Sequence, residues 1–116
     1  MIKRKNEQSS VVNHEMRGGV GDVTVRRYLD AGEYNGRARL IASLTLEPGA
    51  SIGEHVHENE EEIFVVLKGT AAYLDGDHEE RLYPGDSCIV LGGGNHSVRN
   101  PSAEEDTELC AIILTY

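Results

Sequence analysis

Four of the chain's 5 histidines fall where a strand or a turn would present them: His55, His57, His78 and His96. His55 and His57 are two apart, and side chains alternate along a strand, so on a strand both imidazoles point the same way with α-carbons about 6.6 Å apart. Paired imidazoles at that spacing suit a metal ion. The Glu58–Glu61 stretch is long enough to turn the chain back, so that Glu62 opens the next strand beside the pair. A carboxylate and two imidazoles then meet one cation. Each piece also has a plain structural reading: a chance His-x-His, a solvated acidic turn, and at His96 an ordinary loop histidine. His78, flanked by Asp77, Glu79 and Glu80, reads as exposed, and His14 lies near the N-terminus.

The elements that must position these residues are short β-branched or aliphatic runs cut by turn signals. The signals are Asp30 to Gly36, Glu47-Pro48-Gly49, Asp75-Gly76, Pro84-Gly85-Asp86, Gly92-Gly93-Gly94 and Asn100-Pro101. No segment sustains a 3.6-residue period, so the chain reads as all-β, a sandwich or barrel. Asp75-Gly76 suits a two-residue hairpin between Thr70–Leu74 and Glu79–Tyr83. Residues 1–20 show no periodicity and are expected to form a mobile or loosely attached arm, with the ordered domain spanning residues 21–116. Ile63–Leu67 and Leu109–Leu114 are apolar on both faces, where a strand with one wet face should alternate. Either a second subunit or the arm must cover the outer face, and the reading here favours a homodimer.

The order Gly49, five residues, His55, one residue, His57, four residues, Glu62, six residues, Gly69 resembles the first motif of the cupin superfamily. Gly85, five residues, Leu91, Gly92, Gly93, two residues, His96, three residues, Asn100 is similar to the second motif, with Leu91 where the family has Pro. The resemblance covers about Asp22 to Tyr116. It implies a double-stranded β-helix, or jelly-roll barrel, and metal ligands at His55, His57, Glu62 and His96. It also implies a small single-domain protein like the oxalate-decarboxylase-like microbial cupins. Oxalate decarboxylases and oxidases of this superfamily carry Arg or Asn three positions before the first ligand histidine, and this chain has Ile52 there.

Three imidazoles and one carboxylate, with no thiolate, suit one divalent Mn, Fe, Ni, Co, Cu or Zn ion and disfavour Ca or Mg. Such a centre with open positions attracts small anionic or oxygen-rich ligands. Two function classes follow. The first is a metal-dependent enzyme acting on a small carboxylate or enolisable substrate, of decarboxylase, dioxygenase or isomerase type. The second is a non-catalytic, metal-assisted binding module for a small acid or sugar. No residue is assigned as catalytic, but Tyr34 and Arg39, with Glu33 and Arg37 nearby, precede the first motif and are candidates to reach the open metal face. If Leu40, Ala42, Leu44 and Leu46 face inward, Arg37 and Arg39 instead point to solvent.

Composition narrows the partners. Eleven Lys and Arg against 20 Asp and Glu leave a net charge of -9 in 116 residues, which repels nucleic-acid phosphates and anionic headgroups. The 39% hydrophobic content with 13 Gly suits one globular core. No apolar run approaches the roughly 20 residues that span a bilayer, and the opening residues lack the apolar middle of a signal peptide. A cytoplasmic protein with no membrane partner is expected. Cys88 and Cys110 sit within apolar runs and read as small buried hydrophobes, not a disulfide. The Leu91–Asn95 loop is no phosphate cradle, since no strand-to-helix transition follows it.

Overall fold

The computed structural model describes residues 1–116 as ten strands and two short 3-10 turns. The strands are β1 (Ser10–His14), β2 (Asp22–Arg27), β3 (Ala38–Leu46), β4 (Ser51–Val56), β5 (Glu60–Lys68), β6 (Ala71–Asp75), β7 (His78–Leu82), β8 (Ser87–Val90), β9 (Asn95–Arg99) and β10 (Thr107–Thr115). They form two sheets, of order β1-β2-β3-β10-β5-β8 and β4-β9-β6-β7. Every pairing is antiparallel. The expected all-β jelly roll is the observed architecture. Its core is the inward set of both sheets, including Leu40, Ala42, Leu44 and Leu46 on β3, Phe64 and Val66 on β5, and Leu109, Ala111 and Ile113 on β10.

The N-terminal segment differs from the expectation of a loosely attached arm. Ser10–His14 pairs with β2 in full register, Ser10 opposite Arg26 through His14 opposite Asp22. Lys3 bridges Asp30 and Glu33 at 2.7 Å each. The segment forms an edge strand exposed along most of its length, so it carries no alternation of apolar and polar residues to mark it.

The hairpin is also one residue off. Asp75 pairs with His78, so the turn is Gly76-Asp77, and only Gly76 takes a positive φ, of 66°. A single glycine at the first central position suffices for this kind of tight turn.

The doubly apolar strands do alternate in burial, with Phe64 and Val66 inward and Ile63 and Val65 half-buried on the outside. Ile41, Ile112, Ile63 and Ile89 are successive cross-strand partners along β3, β10, β5 and β8, which makes an isoleucine row on the outer face. β1 lies at the far edge of the same sheet, with three strands between it and β5, so it does not lie over that row. Cys88 and Cys110 are free and half-buried. No helix is long and apolar enough to cross a membrane.

Candidate metal centre

Two irregularities of strand register bring the site together. Ile52 pairs with Val98 but His55 pairs with His96, so β4 carries one more residue than β9 between those pairs. Such a bulge flips the alternation. Ile52 and His55, an odd number apart, therefore both line one cavity, and His57 follows His55 to the same side. His57 is anchored just beyond β4, donating its N–H to the Gly94 carbonyl at 3.2 Å and accepting from Gly93 N–H at 2.6 Å. Glu62 comes from the opposite sheet as the third residue of β5, because β5 begins at Glu60 and not at Glu62.

The structure brings His55, His57, Glu62 and His96 together, with ligand atoms all within 4.8 Å of one another, a group that could hold a metal ion. His57, Glu62 and His96 are buried and His55 is half-buried. The three Nε2 atoms lie 3.0, 3.0 and 3.2 Å apart. Glu62 Oε1 is 3.1 Å from Nε2 of both His57 and His96.

The far nitrogen of each ring is held. His55 Nδ1–H donates to the Gly53 carbonyl at 2.7 Å, and His57 Nδ1–H to Glu60 Oε1 at 2.7 Å. His96 Nδ1 lies 3.0 Å from Tyr73 Oη, while the Phe64 ring stacks on His96 with centroids 5.4 Å apart. With Nδ1–H engaged, the Nε2 of His55 and His57 present lone pairs to each other. That arrangement is repulsive unless a proton or a cation lies between them.

Donor spacing also bears on geometry. An octahedral edge is about 1.4 times the metal–donor distance and a tetrahedral edge about 1.6 times, so bonds of about 2.1 Å call for donors about 3.0 or about 3.4 Å apart respectively. Five of the six donor pairs here span 3.0–3.2 Å. Only His55 and Glu62 form the wide pair. Neutral imidazoles and a carboxylate are the donor chemistry of first-row transition ions.

The electrostatics follow from these contacts. Burial pushes the Glu62 carboxyl up, but hydrogen bonds from His57 and His96 outweigh it and leave the pKa below the ordinary value. The hydrogen bond to Glu62 holds the His57 imidazole above its usual range against burial, with Glu60 adding to it. Burial lowers the His55 pKa against the hydrogen bond to the Gly53 carbonyl, with the neighbouring His96, His57 and Arg17 side chains adding to the lowering.

Glu60 was not legible as a site residue in the sequence, although its parity with Glu62 on β5 was a usable signal. It joins His57 to Arg39, whose Nε and Nη2 reach its two carboxylate oxygens at 2.5 and 2.7 Å. That guanidinium fork holds the Glu60 pKa down at about 2.

Arg39 itself breaks the parity rule. Leu40, Ala42, Leu44 and Leu46 do face inward, yet Ile113 pairs with Leu40 and Leu114 with Ala38, so Arg39 is the extra residue of a bulge on β3. The bulge redirects its guanidinium to the cavity rim. Arg37 stays exposed. Tyr34 does not line the cavity, because its hydroxyl donates to the Ala38 carbonyl at 3.1 Å. His78 is exposed and paired with Glu80 at 2.6 Å, and His14 pairs with Asp22. Both lie outside the cluster.

The cavity above the cluster measures about 260 Å³, slightly under the roughly 300–1,000 Å³ of typical small-molecule sites. Its walls include Ser9, Val11 and Asn13, alternate residues in and beside β1. The N-terminal segment therefore forms part of the cavity wall.

Known proteins share this architecture. An oxalate-binding protein of Thermotoga maritima is 34% identical over 114 residues, covering 98% of this chain and 93% of that protein. A crystal structure of a predicted oxalate decarboxylase from Thermotoga maritima superposes with a TM-score of 0.93 at 34% identity, with all of each chain covered. A cupin described as a sugar phosphate isomerase, from Silicibacter pomeroyi, shares the fold alone, at 19% identity and a TM-score of 0.80 over 100% of this chain and 76% of that one. The family model for the cupin domain matches residues 42–113, which contain all four clustered residues, and the chain belongs to that family.

Proposed function

We propose that this protein binds one divalent transition metal through His55, His57, Glu62 and His96 and, through that metal, a small carboxylate for which oxalate is the leading candidate. The observation that carries the reading is the convergence of four donor atoms within 4.8 Å on a cavity of about 260 Å³. These four side chains would hold such an ion through three imidazole nitrogens and one carboxylate oxygen, and positions left open on it would take the oxygens of a small acid. The donor set suits Mn, Fe, Co, Ni, Cu or Zn. A bound ion would supply Lewis acidity, polarising the carboxylate or enolate oxygens of the ligand.

The chain's own residues do the rest. Gly53, Glu60 and Tyr73 fix the three imidazoles so that Nε2 faces the centre. The apolar walls, among them Ile52, Leu40, Leu44 and Ile113, exclude water and strengthen the polar contacts at the floor.

A specific observation favours binding over turnover. Glu62 is the only carboxylate lining the cavity, and it belongs to the cluster, so no free acid or base stands over the ligand. Calorimetric titration of oxalate into manganese-loaded and metal-free protein tests the reading: heat of binding is expected only with the metal present. Equal binding without metal would overturn it.

We further propose that two subunits cover the isoleucine row of the large sheet between them, forming a homodimer. The two free thiols fit a reducing compartment such as the cytoplasm.

A further inference from the structure

Three arginines, Arg17, Arg27 and Arg39, line the cavity, against the single carboxylate of Glu62. Arg39 is engaged by Glu60. The other arginine ion pairs of the molecule use Arg26 and Arg99, so Arg17 and Arg27 face the cavity without a carboxylate partner. Arg27 makes one long contact, Nη1 to the Arg39 carbonyl at 3.4 Å. In a chain of net charge -9, guanidinium groups left unpaired at one cavity form a local positive field on an otherwise repulsive surface.

The placement of Arg17 is held by backbone. It sits in the Met16–Gly18 turn at φ 54° and ψ 31°, a left-handed conformation uncommon outside glycine, next to Glu15 at φ 50°. The turn lies against β4. A Cβ at Gly53 would fall 2.1 Å from the Arg17 carbonyl oxygen, and one at Gly19 would fall 2.2 Å from that of Ser51. Ser51 N–H donates to the Val20 carbonyl at 2.8 Å, and Val20 N–H to Ser51 Oγ at 2.9 Å. Two glycines and two hydrogen bonds thus bring Arg17 beside the strand that carries His55. A strained backbone conformation kept at a cavity wall is an arrangement that functional sites tolerate and plain surface does not need.

We propose that Arg17, supported by Arg27, which lines the same cavity, receives the outward-facing carboxylate oxygens of a small dicarboxylate whose other oxygens reach the histidine and glutamate cluster. This rests on the metal-site reading above. It gives the site a selectivity that the cluster alone lacks: a dianion meets both the cluster and a guanidinium fork, which matches carboxylate geometry in a bidentate way, whereas a monocarboxylate meets only the cluster. It also supplies, from the N-terminal segment, the donor that Ile52 cannot provide from β4.

The test is isothermal titration calorimetry on manganese-loaded protein, with oxalate and acetate as probes, comparing wild type with Arg17→Gln, Arg17→Lys and Arg27→Gln. Arg17→Gln is expected to weaken oxalate about 10- to 100-fold, the range of a lost charge-assisted hydrogen bond, and to leave acetate within about twofold. Arg17→Lys should recover part of the loss, and Arg27→Gln should show a smaller one. Manganese uptake and melting temperature should not fall in any of the three, since neither side chain has an ion-pair partner in the structure and loss of a positive charge near His55 does not oppose a cation. Equal oxalate affinity in wild type and Arg17→Gln overturns this inference and leaves the metal reading standing. Failure of wild type to take up manganese, or to bind oxalate once loaded, overturns both.

Discussion

The carbonyl oxygen of Arg17 fills the space that a side chain at Gly53 would need, since a Cβ there would lie 2.1 Å from it. Gly53 has no positive φ, so alanine brings no backbone strain and the contact alone sets the cost. Gly53→Ala is expected to destabilise the fold by about 1–3 kcal/mol, the usual range for overpacking, as read from the urea midpoint at constant slope. Gly36, with nothing within 4 Å, is the control. Gly36→Ala should stay within about 0.5 kcal/mol of wild type.

Elemental analysis of protein purified without an affinity tag should find roughly one transition metal per chain, restorable by adding Mn, Fe, Co or Ni. Because the ion would bind only the folded form, metal at 100 times its Kd should add about 2.7 kcal/mol to stability. His57→Ala removes a buried donor held by Glu60 and should abolish uptake. His78→Ala alters an exposed residue paired only with Glu80 and should leave it intact. Metal content that is low and cannot be restored would remove the site assignment.

The parts of this site that follow simple alternation were legible in the sequence. His55 and His57, two apart on one side of the chain, and Glu62 beyond a short turn are recoverable from strand geometry alone, and the resemblance to the second cupin motif added His96 to them. The parts that depend on broken alternation were not. The β4 bulge turns Ile52 and His55 to the same cavity, and the β3 bulge sends Arg39 to Glu60 although its neighbours Leu40 and Ala42 obey parity. Neither bulge has a local sequence signal strong enough to read. β1 escaped for another reason: an edge strand exposed on most of its length has no buried face to imprint a pattern. Arg17 then went unread with it, since its approach to His55 depends on contacts between distant glycines.

Acid stability should carry the signature of Glu60. Its pKa falls from an ordinary 4.5 to about 2 in the folded chain, chiefly through Arg39 and against burial, with His57 adding. A carboxyl depressed on folding stabilises the native state above pH 4.5, and that contribution is lost as the pH falls from 4.5 toward 2. Wild type should therefore exceed Glu60→Gln in melting temperature at pH 6, with the gap closing across that window in metal-free protein. A gap independent of pH would show that the carboxylate charge contributes nothing.

The row of Ile41, Ile112, Ile63 and Ile89 crosses four adjacent strands, with Ile89 44% exposed. A pairing about a twofold axis covers such a face on both copies at once. Light scattering at micromolar concentration should return twice the 12.7 kDa of the chain, and Ile112→Glu should return the single mass while the sheet stays folded by circular dichroism. A monomeric wild type would exclude the dimer.

Oxalate should bind without appreciable turnover. Breaking its carbon–carbon bond requires a group that hands over or accepts a proton near the reacting carbon, and proton transfer of this kind is worth about 10²–10⁴ in rate. Ile52 offers nothing. Glu62 belongs to the cluster, and Glu60 is held ionised by Arg39 at a pKa of about 2. Burial raises the Tyr73 hydroxyl well above its usual range, and that group is already bonded to His96. The guanidinium groups of Arg17 and Arg27 hold carboxylate charge but do not give up protons at neutral pH. Manganese-loaded protein should consequently show saturable oxalate binding with consumption at least two orders of magnitude below an ordinary enzymatic rate of about 10 per second, followed by assay of released carbon dioxide and formate. Consumption near that ordinary rate would reverse the assignment in favour of an enzyme. Arg17→Gln would then separate its roles, raising KM alone if the residue only binds the anion and lowering kcat as well if it orients the anion for reaction.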